Sequence, residues 1–341
     1  MRVACFGEVL LRLSAPGHER LFQSGALDAS FGGAEANVAV SCANFGMDTR
    51  LVTRLPLGDV GDACVRFLRS FGVDVSHVTR GEGRMGVYYL ERGAAQRPSK
   101  VIYDRAESAF SHASAGELDW DRILDGVGWF HWTGITPALS ESSAALTLKA
   151  CRLARERGIV VSCDLNYRRK LWSKERAHQV MGQLMEYVDV CFANEEDAAC
   201  VLGIQASGAD VERGIVDAGR YLPVAERISD QFGCGHVAVT LRESHSASRN
   251  GWSGLLYDAA TRSMAVSRTY QLEIVDRVGG GDAFAAGIIF GLANGLGEQG
   301  SVEFAAAASC LKHSIEGDLN RVSSGEVMAL VGGDGSGRVQ R

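Results

Sequence analysis

The sequence predicts an α/β chain: a doubly wound, mainly parallel sheet flanked by helices, with a small second β-sheet acting as a lid. Three observations predict it. From residue 118 onward, short apolar runs end in polar residues and pass into helix-like stretches. Residues 129–132 lead to Thr133-Gly134, 159–163 to Asp164-Leu165-Asn166, 188–192 to Ala193-Asn194, and 236–241 to Arg242-Glu243. That alternation is the pattern of βαβ units, and it puts a ligand site at the carboxyl ends of the strands. Next, residues 87–90 and 101–103 are strand-like runs joined only by a polar link, which fits a hairpin rather than a crossover. Third, Gly279-Gly280-Gly281-Asp282 separates a strand-like run from a long Ala-rich helical run, a strand-to-helix turn placed late in the chain.

Taken in order, residues 3–6 read as a first strand and 9–13 as a second. A polar stretch with Pro16, Gly17 and Gly25 follows. Gly32-Gly33 opens a helix over 36–45 with Gly46 as its stop. Residues 51–55 form a strand, 58–62 a turn and 63–71 a helix. Segments 9–31 and 84–108 together predict the small sheet, projecting from a single domain over 1–331 and able to expel water from a site when closed. A helix is expected over 142–156 and another from Asn194 to about Val201. Residues 272–275 read as a strand and 283–296 as a helix stopped by Gly297. The tail, 332–341, is Gly-rich and polar and is expected to be frayed.

Of the 341 residues, 46% are hydrophobic and 22% charged, with a net charge of −6 and no long basic run, so nucleic-acid binding is not expected. No apolar run approaches the roughly 18–20 residues of a membrane span, and the N-terminal run is too short for a signal peptide. Nine cysteines, odd in number and without a Cys-x-x-Cys pair, read as reduced, mostly buried thiols of a cytoplasmic protein.

The residues that carry chemistry cluster at predicted strand ends. Glycines 279–281 free the backbone to expose N–H groups at a helix N-terminus, where those groups and the helix dipole attract phosphate. Asp282 follows as a carboxylate placed to take a hydroxyl proton; a capped tight turn is the plainer reading of the same residues. Gly33 to Asn37 opens a helix whose start a ligand can approach. Tyr89, Tyr103 and Arg105 lie on the hairpin. Tyr103 and Arg105 share a face, and Arg105 is suited to grip a carboxylate unless it is simply solvated. The loop 164–172 is basic, with Arg168 as a second anion contact or plain surface charge. Asn194 and Asp197 begin a helix with ordinary capping chemistry, and their oxygens could also organise water around Mg²⁺. The eight histidines have no metal-ligand spacing, and His131 reads as structural. A nucleoside triphosphate fits these parts better than NAD does.

Asp276 to Phe284, with its Gly-x-Gly-Asp core, resembles the C-terminal signature of the ribokinase-like (PfkB) carbohydrate kinases. Gly32 to Ala39, with Gly46 and Gly58-Asp59-Val60-Gly61, resembles their N-terminal signature. Within the family, Gly33-Ala34-Glu35, Tyr103-Asp104-Arg105, residues 134–140 and residues 164–168 with Leu171-Trp172 are similar to the branch that phosphorylates the sugar acid 2-keto-3-deoxygluconate. The resemblance implies the ribokinase-like fold and ATP-dependent transfer to the 6-hydroxyl. It implies Asp282 as base and Gly279, Gly280 and Gly281 as the anion hole. Gly33, Asn37, Tyr89, Tyr103, Arg105 and Arg168 would line the sugar site. Asn194, Thr240 and Arg242 would face the nucleotide phosphates or metal, with Gly279 and Gly281. Mg²⁺ would be held through water by Asp197. A monovalent cation such as K⁺ would use Asp276 and the Val278 carbonyl. A homo-oligomer formed through the lid is expected.

Two positions depart from the family pattern. Asp197 stands where a glutamate is common, which shortens the acid beside Mg²⁺, and Gly280 stands where alanine is usual. Three other functions compete. A kinase of a neutral sugar such as fructose or ribose would have no need of Arg105 and Arg168. An NAD-dependent dehydrogenase would carry an early Gly-x-Gly-x-x-Gly. A silent sugar-binding regulator would have no use for Asp282.

Overall fold

The computed structural model describes residues 1–204 and 218–335. Its main sheet has ten strands: β1 (Arg2–Phe6), β4 (Asp48–Pro56), β5 (Val78–Gly81), β8 (Val127–Thr133), β9 (Val160–Asp164), β10 (Val190–Ala193), β11 (His236–Ser244), β12 (Arg249–Asp258), β13 (Ser263–Val266) and β14 (Tyr270–Glu273). The order is β13-β12-β11-β10-β9-β8-β1-β4-β5, with β14 also on β12. From β11 to β5 every pairing is parallel; the three pairings of β12 are antiparallel. The doubly wound, mainly parallel sheet of the sequence reading is therefore present, with an antiparallel margin. Central strands such as β1 and β10 are buried on both faces, as their unbroken apolar runs require.

The second sheet is separate. It comprises β2 (Leu10–Ser14), β3 (Asp28–Gly32), β6 (Gly86–Glu91) and β7 (Lys100–Asp104), in the order β3-β2-β6-β7. All four strands come from the two segments that broke the alternating rhythm. Because β1 runs into β2 through only residues 7–9, this sheet stands directly over the carboxyl ends of the main strands.

Helices cover both faces of the main sheet: α1 (Ala34–Asn44), α2 (Asp59–Arg69), α3 (Trp120–Ile123), α4 (Ile135–Ala138), α5 (Glu141–Glu156), α6 (Lys174–Met185), α7 (Glu195–Asp197), α8 (Leu222–Phe232), α9 (Gly280–Ala293), α10 (Gly297–His313) and α11 (Ser324–Val331). One apolar core holds β8, β9, α5, α6 and α8; the other holds α1, α9 and α10 against β1, β4 and β10. Helix α5 starts where Ser140 and Ser143 form a reciprocal capping box. Several boundaries differ from the sequence reading by a few residues, and two of them show the cause. Helix α2 begins at Asp59, inside the expected turn, because Gly58 at φ 88° already makes the sharp entry. Helix α9 ends at Ala293, and Gly297 instead opens α10, since left-handed Gly295 and Gly297 on either side of Leu296 let the chain reverse.

All nine cysteines are free thiols, most of them buried. Among the described residues no helix is long and apolar enough to cross a membrane. Gly332-Gly333 turn the chain after α11, and the remainder of the expected tail, 336–341, lies outside the described residues.

Candidate active site

A cavity of about 410 Å³ opens between the carboxyl ends of the main strands and the small sheet. Its floor is built by residues that leave the parallel strands. Glu8 follows β1, Asp164 ends β9, Asn194 follows β10, and Thr240 and Arg242 lie on β11. Gly33 and Asn37 come from the start of α1, Gly279, Gly281 and Asp282 from the start of α9, and Tyr103 and Arg105 from the lid.

Two close approaches explain the glycines at the helix starts. A Cβ on Gly33 would lie 2.2 Å from the Glu8 carbonyl oxygen, so only glycine lets α1 start against the β1–β2 crossover. Gly279 has φ 83°, and its Cβ would lie 1.9 Å from the Asp318 carbonyl oxygen. The turn into α9 therefore needs glycine twice over, for conformation and for space.

Asp282 stands in the first turn of α9 and accepts a hydrogen bond from Asn37 Nδ2 at 2.7 Å. Asn37 Oδ1 in turn accepts from the Gly33 N–H at 3.3 Å, so the two helix starts are joined through the carboxylate. Burial pushes the Asp282 carboxyl up to about 7, and the Asn37 hydrogen bond opposes the rise. The dipole at the start of α9 favours the ionised carboxylate, and desolvation outweighs it.

Asp164 and Asp197 continue the acidic wall. Burial raises Asp197 to about 6, and burial together with Asp197 and Asp282 raises Asp164 well above the usual carboxylate range. Asn194 Nδ2 donates to Asp197 at 2.7 Å, and the Tyr167 N–H donates to it at 3.2 Å. Asp164 thus feels the negative charge of both Asp197 and Asp282, and an acidic wall of this kind suits a hydrated Mg²⁺ that accompanies a nucleotide, held through water rather than by all three carboxylates directly.

Asp276 does not face the cavity. It is buried beneath the loop, ion-paired to Arg12, and its carboxylate also accepts the N–H groups of Val278 and Gly317, each at 3.1 Å. The ammonium of Lys312 lies 3.3 Å from the Asp276 carbonyl oxygen. The monovalent-cation reading of Asp276 and Val278 therefore does not fit: the carboxylate is engaged and a side-chain cation already occupies its neighbourhood. Val278 itself reaches the cavity wall.

Two further residues move. Gly280 is off the wall, its N–H turned to the Arg277 carbonyl at 3.3 Å. The missing methyl is accounted for, since a Cβ there would lie 2.4 Å from the His313 ring, which packs on Trp252. Tyr89 points away and packs against Phe22 on the outer face of β6, while Tyr88 lines the cavity. Tyr88 sits opposite Tyr103 in the β6–β7 ladder, so the two share a face; strand parity counted from Tyr103 finds it.

Arg105 and Arg168 both line the cavity. Arg105 is half-buried and donates to Glu8 from Nε at 2.7 Å and also from Nη2; among the described residues Nη1 has no hydrogen-bond partner. Arg168 is exposed at the rim. Arg242 lies over the Trp252 ring at 5.4 Å. Sequence reasoning missed Glu8, Tyr88 and Asp318. Asp318 accepts from Arg12 Nη1 at 2.7 Å and from the Tyr88 hydroxyl, which ties the lid strands β2 and β6 to the loop beside α9. His131 is fully buried, Nδ1 against Ser162 Oγ, and held neutral by burial, so it is structural.

Comparison with known proteins agrees with this arrangement. Residues 1–321 match the model of the pfkB family carbohydrate kinases. The chain is 34% identical over 330 residues, 96% of each chain, to a 2-dehydro-3-deoxygalactonokinase of Haloferax volcanii. It is 27% identical over 326 residues, 95% of this chain and 93% of the other, to a 2-dehydro-3-deoxygluconokinase of Bacillus subtilis. Among solved structures, the 2-dehydro-3-deoxygluconokinase of Thermotoga maritima superposes with a TM-score of 0.94 at 48% identity, covering 98% of this chain and all of that one. With the two glycine signatures converging on one carboxylate and a match that runs nearly end to end, the chain belongs to the pfkB family of carbohydrate kinases.

Proposed function

We propose that this chain transfers the γ-phosphoryl group of ATP to the 6-hydroxyl of 2-keto-3-deoxygluconate. The observation that carries the proposal is the pairing, in one cavity, of a half-buried carboxyl at a glycine-rich helix start with two arginines. Asp282 takes the hydroxyl proton, while Gly279 and Gly281 present the start of α9 to the transferring phosphate. Asn37 orients the carboxylate. Gly33, Tyr88, Tyr103, Arg105 and Arg168 hold the sugar acid, the arginines at its carboxylate. Asn194, Thr240 and Arg242 meet the nucleotide phosphates. Mg²⁺ bound near Asp197 would neutralise charge on those phosphates. Segments 9–31 and 84–108 close over the sugar.

The names of the relatives support a keto-deoxy sugar acid and divide on the epimer. A coupled ADP-release assay across acidic and neutral sugars tests the reading. The expected result is turnover on 2-keto-3-deoxygluconate at least about tenfold above fructose or ribose, given the charge-assisted contacts to Arg105 and Arg168 that a neutral sugar cannot make. Equal or faster turnover on a neutral sugar would reject it in favour of the neutral-sugar kinase.

The lid also supports self-association. Strand β7 is an edge strand, and Ile102 and Tyr103 on it are 39% and 41% exposed. A second copy covering that edge is the expected occupant. Light scattering on the wild type and on Ile102→Asp should give a dimer or larger assembly for the first and a smaller species for the second; a monomeric wild type removes the idea.

A further inference from the structure

Lys312 is fully buried in the last turn of α10, a rare position for lysine without a partner of opposite charge. Its ammonium donates to two backbone carbonyls, of Asp276 at 3.3 Å and of Ile315 at 3.2 Å. Those carbonyls belong to different segments, the one entering the glycine loop and the one leaving α10. The lysine stem passes directly beneath the loop: a Cβ on Gly279 would lie 3.2 Å from Lys312 Cε. Around it stand Asp276 and Asp318, both ion-paired to Arg12, with Asp282 on the cavity side and His313 next along the helix. Burial lowers the Lys312 ammonium to about 8, with Asp276 and Asp318 opposing the fall, so the group is still mainly charged at neutral pH.

A positive centre held by backbone carbonyls from two segments is the coordination that a desolvated K⁺ or ammonium ion takes in proteins. We infer that Lys312 is a tethered monovalent cation, joining the two segments, fixing the Gly279 turn and placing positive charge under the anion loop, so that the protein requires no free K⁺. The inference rests on the reading of that loop as the phosphate cradle, and Lys312 acts as a positioning residue, since it touches neither substrate.

The test compares wild type, Lys312→Ala and Lys312→Met in choline, K⁺ and ammonium salts at matched ionic strength, by turnover and by thermal melting. Wild type should respond alike to all three salts. Lys312→Ala should lose about tenfold to a hundredfold in turnover in choline, the cost of a loosened reacting geometry. K⁺ or ammonium should restore most of that loss and raise the melting temperature of this variant alone, as a ligand specific to the folded state does. Lys312→Met, which fills the same space with an apolar group, should gain nothing. A K⁺-stimulated wild type, a folded Lys312→Ala that ignores both ions in both readouts, or equal rescue of Lys312→Met would each overturn the inference. Should Lys312→Ala not fold in any salt, Lys312→Gln carries the same two readouts. The melting arm needs no turnover, so it still decides if the sugar-acid reading fails.

Discussion

Replacing Asp282 with Asn should abolish turnover and leave a protein more stable than the wild type at alkaline pH. The two effects share one cause, the burial of a carboxyl whose proton is released only near pH 7. For catalysis the base must be ionised. In the wild type kcat/KM should therefore rise about tenfold per pH unit below 7 and level off above it. The Asn variant keeps an oxygen for the Asn37 hydrogen bond and cannot accept a proton, so a loss of about 10³-fold is expected, within the usual range for removing a general base. For stability the sign is opposite. The pKa in the fold lies above the ordinary aspartate value of about 4, so the native state holds a proton that the unfolded chain releases. That contribution is complete below about pH 4 and is lost as the pH rises through 7. At pH 8 the wild type bears an ionised, desolvated carboxylate, and the uncharged amide relieves a penalty of up to about 4 kcal/mol. Melting curves at pH 4 and pH 8 should show the variant gaining on the wild type between the two, with about a third of the gain already present at pH 5. A variant that turns over at wild-type rate would remove Asp282 as the base. One inactive yet no more stable at pH 8 would leave the base in place and remove the raised pKa.

The trade at Asp282 shows which part of the site the sequence could carry. The parallel sheet, the lid and the late glycine turn follow from local signals: apolar runs of strand length, polar residues at their ends, and glycines where the chain must reverse. The boundaries that moved lie at left-handed glycines: Gly58 alone makes the entry to α2, and Gly295 and Gly297, one residue apart, could each end or begin a helix. Tyr89 was misplaced for a similarly local reason. The run Val87–Leu90 has aromatics at adjacent positions, and only the partner strand decides which of them faces inward.

What lay beyond reach is contact between segments far apart in the chain. Arg12 meets Asp276 and Asp318 across some 264 and 306 residues, and nothing in a Leu-Leu-Arg-Leu run reports a buried ion pair rather than a solvated edge. Lys312 reads as an ordinary helix C-terminal lysine, placed where the dipole favours a cation, until the loop carbonyls are seen around it. The balance between helix dipole and desolvation at Asp282 is of the same kind. The first can be inferred from the order of residues, the second only from what the fold packs around the carboxyl.

Arg105→Ala should raise KM for the sugar acid by about 10²–10³-fold, far more than it alters the rate with a neutral sugar. Arg105 serves two carboxylates in turn. It is paired with buried Glu8 through Nε and Nη2, which leaves Nη1 for the substrate. Removing the guanidinium therefore deletes a charge-assisted contact worth a few kcal/mol. It also leaves Glu8, only 3% exposed, as a negative charge facing an incoming acid, with the Ser108 hydroxyl as its remaining partner. The second effect is repulsive and acts only on an anionic substrate, so it separates the acid-sugar reading from general damage to the site. Adding Glu8→Gln to Arg105→Ala should recover about tenfold of the lost acid affinity, because the repulsion goes while the missing contact stays missing. Arg105→Lys should fall between, keeping the charge without the fork that spans Glu8 and a second carboxylate. Steady-state kinetics on the four proteins with an acidic and a neutral sugar decides the matter. Equal losses on both sugars would make Arg105 a brace for Glu8 and the lid; an unchanged KM for the acid would move the carboxylate to Arg168.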